Sequence, residues 1–109
     1  MSTAAQQAGL LPQPPREEIR IEQVLAALGD PVRLLYVREL AKASPTGMPC
    51  GVIPLPVTKS TRTHHLRILR DAGVISMRAE GTRRIACVRR DDLDALYPGL
   101  LDGVLGAPR

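Results

Sequence analysis

Residues 59–73, KSTRTHHLRILRDAG, bring together side chains that can do chemistry. The stretch opens with a lysine, hydroxyl groups and an arginine, and two adjacent histidines, His64 and His65, lie near its centre. Imidazoles bind metals and transfer protons, whereas hydroxyl, ammonium and guanidinium groups donate hydrogen bonds to anions. Three kinds of site are therefore open: a metal site, a catalytic pair, or a surface that contacts an acidic partner.

The spacing of the apolar residues predicts that this stretch is an amphipathic helix. At about 100° per residue, one side is apolar and the other is basic and rich in hydroxyls. Thr58 or Ser60 can cap the helix, and Gly73 can end it. The apolar side consists of His65, Leu66, Ile68, Leu69, Ala72 and Gly73, and the polar side of Lys59, Ser60, Thr63, His64, Arg67 and Arg70.

The two histidines do not make a convincing metal or catalytic site. Neighbouring helical residues point about 100° apart, so one metal ion would not readily bind both. Neither histidine has a nearby Asp–Ser or cysteine partner in this stretch that would suggest nucleophilic catalysis. We expect His65 to point inward as a hydrogen-bonded residue and His64 to point outward.

The polar side suits double-stranded DNA. Free N–H groups and the dipole at a helix N-terminus attract phosphate, and short donors near that end can reach base edges in the major groove. Arg62 falls on the apolar side, where it either bends past the core edge to reach a base or bridges to an acidic residue. The alternative for the whole surface is a solvated helix face. The expected DNA contacts are Lys59, Ser60, Thr61, Arg62, Thr63, His64 and Arg67.

Two further helices are predicted before this stretch. EEIRIEQVLAALG, residues 17–29, has helical apolar spacing, with Glu17 and Glu18 in its first turn. Asp30 and Pro31 then begin PVRLLYVRELAKA, because Asp caps a helix and Pro is tolerated at its first position. Residues 44–56 contain four prolines and two glycines, so at most one short helical turn fits there.

After Gly73 the apolar period becomes that of a strand. VISMRA alternates Ile75 and Met77 with polar residues, and RRIACV resumes the alternation with Ile85 and Cys87. The Gly-containing turn between them predicts a β-hairpin over residues 74–89.

DDLDALY predicts a last helix that Pro98 interrupts, and PGLLDGVLG adds one apolar turn. The hairpin carries three arginines that either contact DNA or protect a sheet edge by charge, Arg78, Arg83 and Arg84.

The element order is helix, helix, weak helix, helix, hairpin, helix. This order predicts a mainly α fold with a two-stranded β-hairpin wing, which is the winged helix-turn-helix. We expect a flexible N-terminal tail over residues 1–16, a DNA-binding and dimerisation domain over residues 17–105, and a C-terminal tail over residues 106–109.

The composition agrees with a single small domain that contacts a polyanion. The chain has 109 residues, a net charge of +4, and neither Phe nor Trp, so a second copy would supply useful apolar burial. Thirteen of its fifteen basic residues are arginines, which favour forked contacts with phosphates and guanine edges. No run of about 18 apolar residues and no secretory signal is present, so we expect a cytoplasmic protein. No phosphate loop, zincin motif or acid–base pair appears, so we expect neither catalysis nor a cofactor.

Four segments together resemble the ArsR-type winged-helix transcription regulators: LGDPVRLLYVREL, KSTRTHHLRILRDAGVI, RAEGTRRIACVRRDDLD and YPGLL. The resemblance covers roughly residues 19–105. It implies a homodimeric bacterial repressor that binds a palindromic operator and is released by a signal. It also implies major-groove contacts at the positions of Lys59, Ser60, Thr63 and His64. The terminal helices, Ile19–Leu28 and Leu93–Leu105, would form the dimer interface.

Two departures from that family's pattern matter. Metal-sensing members carry a Cys-x-Cys motif before the reading helix or an Asp/His–His/Glu set on the last helix, and this chain has neither, so we expect no metal site. Arg62 also replaces a usual aliphatic residue, which affects operator preference.

Cys50 and Cys87 are either small buried hydrophobes or the thiols of a redox switch. The sequence does not predict an effector. The alternative function is a winged-helix module that contacts protein, with a charge that only aids solubility.

Overall fold

The computed structural model describes residues 9–43 and 45–109. A 3₁₀ turn at Arg16–Glu18 precedes the regular elements. The fold is mixed α/β and is compatible with a winged helix. The described residues form α1 (Ile21–Leu28), α2 (Pro31–Ala41), β1 (Met48–Pro49), α3 (Lys59–Asp71), β2 (Ile75–Glu80), β3 (Arg83–Val88), α4 (Arg90–Leu96) and α5 (Leu100–Leu105).

The sheet has three strands in the order β1-β3-β2, so the prediction of a two-stranded wing is wrong. Met48 pairs with Ala86 and Pro49 with Ile85 in an antiparallel arrangement. Pro49 lacks an N–H donor, which an edge strand tolerates because its outer side needs no sheet hydrogen bond. Residues 45–58 form this edge strand and turns, and contain no helix where the element order predicts a weak one.

The hairpin register differs by one residue from the predicted alternation. Met77 lies opposite Ala86, and Ser76 lies opposite Cys87. Because directly opposed residues share a face, Ala86 belongs to the core side and Cys87 to the other side. Ile85 is also buried on that other side, where Pro49 pairs with it. The alternation predicted one buried face of β3, whereas Ile85 and Ala86 are both buried although they lie on opposite faces.

The first two helices begin where local capping allows. α1 begins at Ile21, so Glu17 and Glu18 lie in the preceding 3₁₀ turn rather than in its first turn. The Asp30 carboxylate accepts the N–H groups of Val32 and Arg33 at 2.8 and 3.1 Å. This pairing confirms the predicted cap of α2, with proline at the first helical position.

The core lies between the helices and one face of the sheet. None of the helices in the described part of the chain is long and apolar enough to span a bilayer. Gly73 ends α3 with φ 83°, and a Cβ there would lie 2.6 Å from Cγ1 of Ile19, so only glycine fits this crossing. The largest fully buried side chains are Tyr36, Leu69, Ile75, Leu93, Leu101, Val24, Val37 and Val74.

Residues 9–16, part of the predicted N-terminal tail, pack along the outer edge of β2 and towards α4. The amide of Ala79 donates to the Gly9 carbonyl at 2.8 Å, and the amide of Leu11 donates to the Met77 carbonyl at 2.9 Å. These bonds satisfy part of an edge that a hairpin would otherwise leave unpaired. Residues 1–8 of the predicted tail lie outside the described residues, and the domain boundaries stay a prediction.

Candidate nucleic-acid interface

Hydroxyl groups cluster at the N-terminal end of α3. Thr58 is the N-cap, and its Oγ1 accepts the N–H of Thr61 at 3.2 Å. The same Oγ1 donates to Oγ1 of Thr61 at 3.0 Å and lies 3.3 Å from Oγ of Ser60. The helix therefore begins with a fixed set of short donors and acceptors beside its free N–H groups.

One side of α3 is free while the other is anchored. Leu66 and Leu69 are buried in the core, with 5% and 0% of their surface exposed. Within residues 9–43 and 45–109, neither Lys59 nor Arg67 has an acidic partner within 4.0 Å, so both positive charges are open to an external anion. The exposed residues of the helix include Lys59, Ser60, Thr61, Thr63, His64 and Arg67.

Thr63 and His64 present different groups. The Thr63 hydroxyl donates to the carbonyl of Lys59 at 3.1 Å, so its oxygen remains an acceptor and its methyl an apolar contact. The ring centroids of His64 and His65 lie 6.2 Å apart at an angle of 49°. No group of three or more His, Cys, Asp or Glu residues able to hold a metal ion occurs among the residues that the structure describes.

His65 is half-buried and bonded to another helix. Its Nδ1 lies 3.1 Å from Nη1 of Arg33 on α2. A guanidinium group can only donate, so Nδ1 of His65 is the acceptor of this hydrogen bond. His65 therefore takes the inward, hydrogen-bonded place expected of it.

The side chain of Arg62 is half-buried and extends from α3 towards the turn that follows β1. Its Nη1 would be 3.6 Å from a Cβ on Gly51, and its Nε has no hydrogen-bond partner among the described residues. Beneath it, burial raises the pKa of the Tyr36 phenol, which donates to the Cys50 carbonyl at 3.1 Å. Arg62 forms no ion pair with the acidic residues that the structure describes, so the predicted bridge to one of them is not found.

The wing arginines have unequal surroundings. Arg83 and Arg84 are exposed at the start of β3, next to the turn at Gly81. Arg78 is half-buried and donates to the Thr46 carbonyl at 3.2 Å. Glu80 lies 3.3 Å from Nη2 of Arg78 and 3.8 Å from Nη2 of Arg83, so it partly neutralises both. In the described chain, Arg84 has no such acidic neighbour within 4.0 Å.

Both cysteines are free thiols in half-buried positions. Burial raises the pKa of the Cys87 thiol, which donates to the Pro45 carbonyl at 3.1 Å. A protonated thiol is a weak nucleophile, and this environment does not favour oxidation of Cys87. Cys50 begins the turn next to Gly51, and its amide donates to the Arg84 carbonyl at 2.8 Å.

Sequence reasoning did not predict two features of this surface. The ion pairs of Glu80 were open to prediction, because an acidic residue stands between Arg78 and Arg83 in RAEGTRR. The bond between Arg33 and His65 had no local signal, since 32 residues separate the two along the chain.

The chain is similar to proteins named as regulators. It is 29% identical over 82 residues to the uncharacterised HTH-type transcriptional regulator YceK of Bacillus subtilis, covering 73% of this chain and 81% of that protein. It is 38% identical over 61 residues to the uncharacterised HTH-type transcriptional regulator MJ1325 of Methanocaldococcus jannaschii, covering 55% of this chain and 67% of that protein. No protein-family model matches the chain.

Proposed function

Because the chain belongs to the helix-turn-helix transcriptional regulators, we propose that it is a sequence-specific DNA-binding regulator with α3 in the major groove and the β2–β3 hairpin as a wing. One observation carries the proposal: α3 turns its hydroxyl and basic residues to solvent while its leucines hold it to the core. A buried or ion-paired surface could not receive a duplex, and this one is open.

The residues divide into base-reading and backbone-holding groups. Ser60, Thr63 and His64 carry short or planar groups that suit base edges. Lys59 and Arg67 carry long cationic side chains that suit phosphates, and Thr61 adds a hydroxyl in the same first turn as Lys59. Arg62 reaches the same backbone from the Gly51 side. Arg83 and Arg84 hold the neighbouring backbone or minor groove, and Arg78 supports the wing from its base.

Two apolar surfaces support a homodimer through the terminal helices. Ile21 and Leu25, one turn apart on α1, are 38% and 49% exposed. A groove of about 460 Å³ between α2 and α5 is lined by apolar groups that include Leu34, Leu100 and Val104. Covering both surfaces with a second copy removes them from water. The two reading helices of such a dimer match a palindromic operator.

Within the helix-turn-helix regulators, the segments with LGDPVRLLYVREL and KSTRTHHLRILRDAGVI favour the ArsR-type subfamily. On that basis the protein is a bacterial repressor that acts on DNA in the cytoplasm, without catalysis. An effector then releases it from the operator.

The salt dependence of duplex binding tests the proposal. A dimer that neutralises about 6–10 phosphates loses roughly 10³–10⁵ in affinity between about 50 and 200 mM salt. Arg67→Ala lowers the slope, whereas Lys42→Ala, at an exposed lysine paired with Glu39 at 2.9 Å, leaves it unchanged. Duplex binding that is absent or insensitive to salt would favour a module that contacts protein.

A further inference from the structure

A pocket of about 280 Å³ opens where α1, α2 and the C-terminal turn of α3 meet. Its floor is apolar and consists of Ala27, Ile68 and Ala72, and the exposed Ala26 lies at its edge. Arg33 and the exposed Asp71 are among the polar residues of its rim. An apolar floor with few polar groups at the rim is typical of small-ligand sites.

Arg33 is the polar group best placed to orient a ligand. Its Nε donates to the Ala27 carbonyl at 2.7 Å, Nη2 to the Ala26 carbonyl at 3.3 Å, and Nη1 to His65 at 3.1 Å. A guanidinium group has five N–H donors, so two remain without an acceptor in the described part of the chain. These bonds hold the group in place, and a preorganised guanidinium suits a carboxylate.

The volume limits the ligand to a small molecule. Drug-sized ligands occupy pockets of roughly 300–1,000 Å³, whereas an apolar cavity of about 150 Å³ accepts a benzene ring. A pocket of about 280 Å³ therefore accommodates one ring or a short branched chain together with a carboxylate.

We propose that this pocket binds a small organic carboxylate, with its apolar part on Ala27, Ile68 and Ala72 and its carboxylate on Arg33. Asp71 would oppose an anion, but it is exposed and screened by water, whereas Arg33 is half-buried. Because Asp71 is acidic, the alternative ligand is a cation. Binding of benzylamine in preference to benzoate would identify a cationic ligand.

Occupancy of the pocket would act on the reading helix. Ile68 and Ala72 belong to the last turns of α3 and its C-cap, and Arg33 also holds His65 of the same helix. A ligand that binds Arg33 and fills the pocket beside Ile68 and Ala72 therefore favours one orientation of α3 relative to α1 and α2. This regulatory part rests on the proposed DNA-binding function, whereas the ligand site does not.

The binding test uses benzoate, benzamide and benzylamine as probes with the ¹⁵N-labelled full-length protein. We expect benzoate to shift the backbone amides of Ala27, Ile68 and Ala72 saturably in the millimolar range, and benzamide to bind at least about tenfold more weakly. Equal binding of benzamide, preferential binding of benzylamine, or no shift at these amides would overturn the assignment.

Two variants distinguish loss of the pocket from loss of the fold. Ala26→Leu fills the pocket from an exposed helical position and leaves Arg33 intact, so benzoate binding should be lost. Ala95→Leu, at an exposed position of α4, is the matched control and should bind benzoate like the wild type. Benzoate binding that survives in Ala26→Leu would exclude this pocket.

A second measurement tests the coupling. Benzoate should change duplex affinity in the wild type at least threefold, and should have no effect in Ala26→Leu. Benzoate binding without any change in duplex affinity would overturn the regulatory part alone. If the protein bound no duplex at all, the proposed function would fail, while the amide shifts would still decide the ligand site.

Discussion

Arg33 and His65 are joined by a hydrogen bond of 3.1 Å between Nη1 and Nδ1, although 32 residues separate them along the chain. The same guanidinium donates to the carbonyls of Ala26 and Ala27 at the end of α1. One side chain from the start of α2 therefore fastens α1 to α3. The position of α3 in the fold therefore depends on the hydrogen bonds of Arg33 as well as on the buried leucines of α3.

The junction predicts a difference between two neighbouring histidines. His65→Leu should lower the free energy of unfolding by about 1 kcal/mol, because an N–H of Arg33 loses its acceptor. His64→Leu, one residue earlier on the exposed side, should change it by less than about 0.5 kcal/mol. Urea unfolding of both variants measures the difference, and equal stabilities would argue against the role of the bond.

The cap of α2 predicts a stability that depends on pH. Backbone N–H groups of Arg33 and Val32 outweigh the effect of burial and lower the pKa of Asp30. The ionised cap stabilises the fold above the unfolded pKa of about 3.9, and this contribution is lost as pH falls through the lower folded pKa. Asp30→Ala should therefore cost about 1 kcal/mol at neutral pH.

The same comparison at low pH provides the check. Below about pH 4 the wild type loses the contribution of the ionised cap, so its advantage over Asp30→Ala should shrink. Urea midpoints of the two proteins at several pH values measure this advantage. An advantage that stays constant or grows in acid would contradict the assigned role of the carboxylate.

Glu80 predicts unequal contributions from the wing arginines. Arg84 has no acidic neighbour within 4.0 Å in the described chain, whereas Glu80 lies 3.8 Å from Arg83. Arg84→Ala should therefore weaken binding to all duplexes more than Arg83→Ala does, with little change of sequence preference. Glu80→Gln should strengthen binding to all duplexes at low salt. Fluorescence anisotropy with two unrelated duplexes measures these effects, and a weaker or unchanged Glu80→Gln affinity would contradict them.

The exposed apolar pair on α1 predicts a change of oligomeric state. Leu25→Glu should shift the protein towards monomers, because it places a charge in the proposed dimer contact. Gln23→Glu adds the same charge to the same helix on a different side and should leave the dimer intact. Sedimentation equilibrium gives the mass of each variant. A wild-type protein that is monomeric at all concentrations, or a Leu25→Glu variant that dimerises normally, would exclude this interface.

The helices were predictable because their signals are local. The cap at Asp30, the proline after it and the leucine spacing of α3 each act within one or two turns. The sequence therefore placed α2 and α3 to within two residues of their observed ends. The polar side of α3 followed from the same spacing, and Lys59, Ser60, Thr63, His64 and Arg67 are exposed, whereas Arg70 is half-buried.

The errors came from contacts between distant segments. β1 exists because Met48 and Pro49 find a partner in β3, and two residues carry no strand period of their own. The register of β3 was also hidden, since Ile85 and Ala86 are both buried although they lie on opposite faces of the sheet. The pairing of residues 9–11 with β2 is likewise invisible in a stretch rich in Gly, Leu and Pro. Whether such short segments form strands depends on their tertiary pairing partners.

Selection from a random pool of duplexes, carried out with the wild type and with His64→Ala, tests the central claim most directly. We predict that the wild type enriches an inverted repeat, and that His64→Ala enriches the same repeat with one base position in each half-site relaxed by about 1–3 kcal/mol. An unchanged preference in His64→Ala, or no enriched sequence with the wild type, would contradict a base-reading role for the exposed side of α3.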